Sequence, residues 1–105
     1  MRLVRTATYR ADLEAIVDYI AAENPRAALA IWDEIENQVE RLAPYPHSGR
    51  IGRVDGTREL VVTRTPYIVG YRVDRDAVLI LRVLHGARQW PNEIGNKPVV
   101  STARG

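Results

Sequence analysis

The chain of 105 residues has no cysteine, which excludes a disulfide framework, a thiolate metal site and a cysteine nucleophile. Histidine is scarce: His47 and His85 are the two, too few for a histidine-rich metal site. Lysine occurs once, at Lys97. No apolar run approaches the roughly 20 residues that a bilayer-spanning helix needs. Residues 1–5 lack the apolar core of a secretory leader. These absences predict a cytoplasmic protein with no membrane contact and no metal or cofactor. What is present is ordinary for a folded chain: 46 % apolar and 27 % charged residues, in a length that suits one domain.

Fourteen of the 15 basic residues are arginine, and charge is segregated along the chain. Residues 8–45 hold three arginines against eight acids, net −5, while residues 46–105 hold ten basic residues against five acids, net +5. Arginine favours bidentate contacts with carboxylates and phosphates. The acids are expected on a solvated surface and the arginines on a binding surface. A total of +2 is too small to argue for direct DNA binding.

Residues 2–6 alternate and read as a strand. Thr8 is placed to cap a helix over 9–22, where Leu13, Ile16, Val17 and Ile20 make one apolar stripe. Asn24-Pro25 marks a sharp boundary, since Asn caps and Pro at the first helical position loses no needed hydrogen bond. Ala28, Trp32, Ile35, Val39 and Leu42 form the seam of a second helix that Pro44 stops, so residues 9–43 form an antiparallel helical hairpin. Residues 44–57 read as a loop. Three strands follow, at 58–63, 67–74 and 77–85, broken at Thr65-Pro66 and turned at 74–76. The last is nearly all apolar except Arg82 and is expected to be central, covered on both faces. The order β-α-α-β-β-β predicts an α+β domain over 1–94, with an N-terminal helical hairpin packed on a small antiparallel sheet. Residues 95–105 read as a flexible C-terminal tail.

This order resembles the RelE/ParE superfamily of type II toxin–antitoxin toxins over about residues 3–91. The residues that carry the resemblance are Thr8, Ala11-Asp12-Leu13, Ile16 and Tyr19-Ile20, then Pro25-Arg26-Ala27-Ala28. Next come Leu42-Ala43-Pro44, Pro46-His47-Ser48-Gly49-Arg50 and Gly56-Thr57-Arg58-Glu59-Leu60. The last are Pro66-Tyr67-Ile68-Val69-Gly70-Tyr71-Arg72 and the run from Ile80 through His85-Gly86-Ala87-Arg88-Gln89-Trp90-Pro91. The resemblance implies two possible activities. RelE-like members cut mRNA in the ribosome, whereas ParE-like members act on DNA gyrase without a nuclease site.

Metal-free RNA cleavage needs groups that move protons and stabilise phosphate charge. Where the RelE pattern has strand lysines this chain has Glu59 and Val61, and Ile68 stands where it has an arginine. Arg88 matches the arginine after the last strand, and Ile94 falls near the expected catalytic tyrosine. If cleavage occurs, Arg88, His85 and Arg82 are the candidates, with His85 otherwise structural at the strand exit. His47, Ser48 and Asp55 lack the context of a hydrolase triad. The resemblance therefore favours the ParE-like branch: a gyrase inhibitor neutralised by a ParD-like ribbon-helix-helix antitoxin and touching operator DNA only through it. The alternatives are an mRNA endonuclease and a relic that only binds antitoxin.

Arg82, Arg88 and Trp90 are the candidate target-binding residues, as arginines beside an aromatic anchor. Tyr19, Leu29, Trp32, Arg50, Arg58 and Arg72 are the candidates for antitoxin binding, with Trp32 alternatively in the core. Arg58, Arg72 and Arg82 alternatively pair with Glu59, Asp74 and Asp76, or with the antitoxin's acids. Arg72 and Arg82 are expected to share a sheet face.

Overall fold

The chain runs β1 (Arg2–Arg5), α1 (Ala7–Ala21), α2 (Pro25–Glu40), β2 (Arg50–Ile51), β3 (Arg58–Val61), β4 (Tyr67–Asp74) and β5 (Ala77–His85). This is a computed structural model that describes residues 1–88 and Trp90. Ile94, Lys97 and the 95–105 segment lie outside the described residues.

The strands form one sheet in the order β1-β5-β4-β3-β2. The pairs from β2 to β5 are antiparallel, as expected. β1 instead runs parallel to β5, with Arg5 opposite Ile80, so the sheet is mixed rather than antiparallel. The helical hairpin and three further strands separate β1 from β5, so no tight turn dictates their relative direction. β4 rather than β5 is the middle strand, although β5 is paired on both sides. The short β2 lies inside the expected loop.

Thr6, not Thr8, caps α1. Its Oγ1 accepts the Tyr9 N–H at 3.2 Å and donates to the Ile80 carbonyl at 2.8 Å, which ties the helix start to β5. Thr8 lies exposed within the first turn. Asn24 caps α2 as expected, accepting the Ala27 N–H at 3.0 Å, with Pro25 in the first turn.

The main core lies between the hairpin and the sheet. Tyr9 and Leu13 of α1 and Ile35 and Val39 of α2 pack with Leu42, Val69, Tyr71, Val78, Ile80 and Val83. Burying each aliphatic side chain contributes about 1.5–3 kcal/mol. Ile80 and Val83 share this core although strict alternation would send them to opposite faces. The register explains it: Tyr71 pairs with Ile80 and Gly70 with Arg82, leaving Leu81 unpaired in a bulge. A second cluster, Ile68, Leu84 and Trp90 with Val54 and Leu81 against them, forms on the other face.

The segregated charges meet between the layers. Arg5 of β1 pairs with Glu36 and Glu40 of α2, Arg82 of β5 with Asp12 of α1, and Arg64 of the β3–β4 turn with Glu34 of α2. The acids expected on a purely solvated face are thus partly a seam between hairpin and sheet. Burial disfavours the Arg5 charge, but the Glu40 and Glu36 carboxylates outweigh it and raise its pKa. Burial and the hydrogen bond to Glu36, 2.7 Å, push the Tyr9 phenol well above its ordinary value.

Candidate functional site

The sheet face turned away from the hairpin carries a buried carboxylate. Glu59 of β3 lies opposite Arg50 of β2 and Gly70 of β4. Its side chain is only 4 % exposed. Oε1 accepts the Arg50 Nη2 at 2.9 Å, and Oε2 accepts the Arg53 backbone N–H at 2.9 Å and its Nε at 3.1 Å. Burial alone would raise the carboxyl, but the Arg53 N–H and the Arg50 guanidinium prevail and hold it below its ordinary value.

Arg53 also lies over the Trp90 ring, 5.2 Å from its centroid, and its Nη1 donates to the Arg88 carbonyl at 3.4 Å. Trp90 is 7 % exposed and packs on Ile68 and Leu84. It is therefore a buried clamp on the chain after β5, with little of its ring open to a partner. Its indole N–H is buried without a partner among the described residues. Val61, beside Ile68 in the register, is 45 % exposed. Arg53 was not singled out from the sequence. It lies in a Gly-rich loop, and only folding brings that loop beneath the chain after β5.

The arginines divide. Arg50 is bound to Glu59. Arg58 donates to the carbonyl of Gly49 at 2.8 Å rather than to a carboxylate. Arg72 pairs in register with Leu79 and Arg82 with Gly70, but Arg82 directs its guanidinium to Asp12, while Arg72 is itself engaged. Where Glu59, Asp74 or Asp76 was expected, the partner described for Arg82 is Asp12 and those for Arg58 are the His47 and Gly49 carbonyls. Arg88 is exposed and makes no ion pair among the described residues.

His85 and Arg88 meet in a cleft of about 180 Å³ beside α1, together with Asp12 and Tyr67. His85 accepts the Ala87 N–H at Nδ1, 3.2 Å, and stands edge-on to Tyr67 with ring centroids 5.8 Å apart. Burial, and next the Tyr19 phenol, push the Tyr67 hydroxyl above its ordinary pKa. Tyr67 was not picked out as a site residue by the sequence.

Tyr19 is 82 % exposed on α1, and Leu29 is 67 % exposed on α2. Trp32 lies on the expected seam yet is 41 % exposed, lining a groove of about 250 Å³ between the helices with Arg10 and Glu14. No helix among the described residues is long and apolar enough to cross a membrane.

Residues 3–90 match the family described as ParE toxin of type II toxin-antitoxin system, parDE. The chain is 48 % identical over 79 residues to a protein described as toxin Y4kP from Sinorhizobium fredii, covering 75 % of this chain and 81 % of that one. It is 41 % identical over 78 residues to toxin RelE2 of Caulobacter vibrioides, covering 74 % and 86 %. A solved structure described as a chromosomal ParDE TA system from P. aeruginosa contains a similar chain. That chain superposes with a TM-score of 0.73 at 34 % identity, over 79 % of this chain and 92 % of that chain.

Proposed function

The chain belongs to the ParE toxin family of type II toxin–antitoxin systems, and on that premise we propose that it disables DNA gyrase in the cytoplasm by occupying it, and is silenced by a ParD-like antitoxin. The observation that carries this reading is the filling of the sheet face away from the hairpin. Metal-free RNA cleavage would place unpaired cations there. Here Glu59 binds Arg50 and Arg53, and Ile68 lies against Trp90. An apolar side chain and an ionised carboxylate held by two arginines are not suited to stabilise a phosphorane or to move a proton.

A ParD-like partner fits the exposed apolar residues Tyr19, Leu29 and Trp32 of the hairpin. A segment that folds on binding could cover them while its acids meet the arginine-bearing half. Operator DNA is then reached through the antitoxin.

The second reading, an mRNA endonuclease, is favoured by Arg88 and His85 sharing one cleft and by the similarity to toxin RelE2. The test is induction of the chain in cells, with and without the antitoxin gene beside it. Growth arrest with induced DNA damage, intact mRNA and rescue by the antitoxin supports gyrase inhibition. Codon-phased mRNA cuts within minutes of induction would instead establish the endonuclease.

A further inference from the structure

The cleft between α1 and the end of β5 joins residues that the sequence assigned to different tasks. Tyr19 belonged to antitoxin contact, while His85 and Arg88 belonged to cleavage or target binding. In the fold, His85, Arg88 and Tyr67 line one cleft, and the Tyr19 phenol is close enough to Tyr67 to act on it electrostatically.

The charges in this cleft have one free sign. Its carboxylate, Asp12, is taken by Arg82 on both oxygens and by the Val83 N–H at 3.1 Å. Arg88 has no ion-pair partner among the described residues. The Ala87 N–H occupies Nδ1 of His85, so the neutral ring carries its proton on Nε2 and offers a donor. Tyr67 keeps its hydroxyl proton because burial opposes ionisation. Three donors and no free carboxylate make the complement of the cleft an anion.

Its size and lining narrow the anion. About 180 Å³ is below the roughly 300 Å³ at which small-molecule pockets begin, so the cleft suits one side chain rather than a nucleotide. Ile16, Val83 and Leu84 supply an apolar wall for an aliphatic stem.

We propose that this α1–β5 cleft grips one carboxylate side chain of the antitoxin's toxin-binding segment, with the Arg88 guanidinium and the His85 Nε2–H as its donors. The proposal rests on the toxin–antitoxin reading and gives that partner one anchoring acid. Because Arg88 is also a candidate for target contact, the antitoxin would cover a residue that the target needs.

The test is calorimetric titration of the full chain with the antitoxin encoded beside it. Arg88→Gln and His85→Ala are compared with the unaltered chain, with circular dichroism confirming the fold. Each Asp and Glu of the antitoxin segment is then changed singly to its amide. Arg88→Gln is expected to weaken binding about tenfold or more, and His85→Ala less, since a neutral donor is lost. One antitoxin amide should match the Arg88→Gln loss, and the two together should be no worse than either alone. Binding by both toxin variants within about twofold of the unaltered chain would overturn the cleft while leaving the antitoxin reading intact. So would losses that multiply independently for every acid. An antitoxin that fails to bind the unaltered chain removes the partner reading itself, and the cleft with it.

Discussion

Arg82 and Asp12 lie 70 residues apart and meet in a two-bond ion pair, Nε to Oδ2 at 2.6 Å and Nη2 to Oδ1 at 3.0 Å. The same Oδ2 accepts the Val83 N–H at 3.1 Å. β1 ends opposite Ile80, so among the described residues β5 continues past it without a strand neighbour on that side. Asp12 satisfies the backbone there in place of a strand and locks α1 to β5 beside the candidate cleft.

Asp12→Ala is therefore expected to cost about 2–4 kcal/mol, because it removes two charged hydrogen bonds from a largely buried guanidinium and the acceptor of the Val83 N–H together. Asp12→Asn should lose less, since it keeps an acceptor for Val83. Urea denaturation of the three proteins measures this. An alanine variant within about 0.5 kcal/mol of the parent would show the pair to be incidental.

Glu59 makes stability depend on acid. Its folded-state carboxyl titrates below the ordinary 4.5, so its contribution is full above that value and is lost as pH falls through the lowered one. Glu59→Gln should be less stable than the parent near neutral pH, and the gap should narrow as the pH drops below the ordinary carboxylate value. Melting temperatures across pH 3–7 check it; a gap that stays constant contradicts a charged Glu59 in the fold.

Gly49 has no room for a side chain. A Cβ there would stand 2.5 Å from the Tyr71 hydroxyl and 2.8 Å from the Glu59 carbonyl. That hydroxyl accepts the Gly49 N–H at 2.9 Å and donates to the Pro46 carbonyl at 2.8 Å. Gly49→Ala should destabilise by about 1–3 kcal/mol through overpacking. Tyr71→Phe should cost about as much through two unsatisfied backbone groups. Thermal denaturation reads both, and a neutral Gly49→Ala would place the loop wrongly.

Arg53 should govern the environment of Trp90. Arg53→Ala removes the cation over the indole and one of the Glu59 partners, and should cost about 1–2 kcal/mol. Acrylamide quenching should rise because Trp90 becomes accessible, and a Trp32→Phe background isolates that signal. Unchanged quenching in that background would mean that Arg53 does not hold the clamp.

Elements governed by local chemistry were legible in the sequence. Asn24-Pro25 announces the start of α2 because both residues act on the backbone beside them. β4 and β5 match their expected bounds, since alternation and a tight turn set them. Thr6 and Thr8 illustrate the limit. Both have a capping hydroxyl, and Thr6 is selected by a contact with Ile80 that lies 74 residues away. The direction of β1 and the bulge at Leu81 are likewise set by tertiary pairing.

The two tryptophans show the same limit at the site. Trp32 obeys a core spacing, yet it borders a groove and stays half exposed. Trp90 follows no periodic pattern, yet it is buried against Ile68 and Leu84 under Arg53. Charge segregation was visible in the sequence, but not its pairing across layers. Which arginines remain outside ion pairs among the described residues, as Arg88 does, depends on which carboxylates the fold brings near.

The proposed action, occupancy of gyrase with no RNA bond broken, is tested most directly in vitro. Purified chain is added to gyrase with relaxed plasmid and ATP, and in parallel to translating ribosomes with end-labelled mRNA. Loss of supercoiling that the antitoxin restores, with mRNA left intact, is the predicted result. Cleaved mRNA with gyrase activity untouched would contradict it.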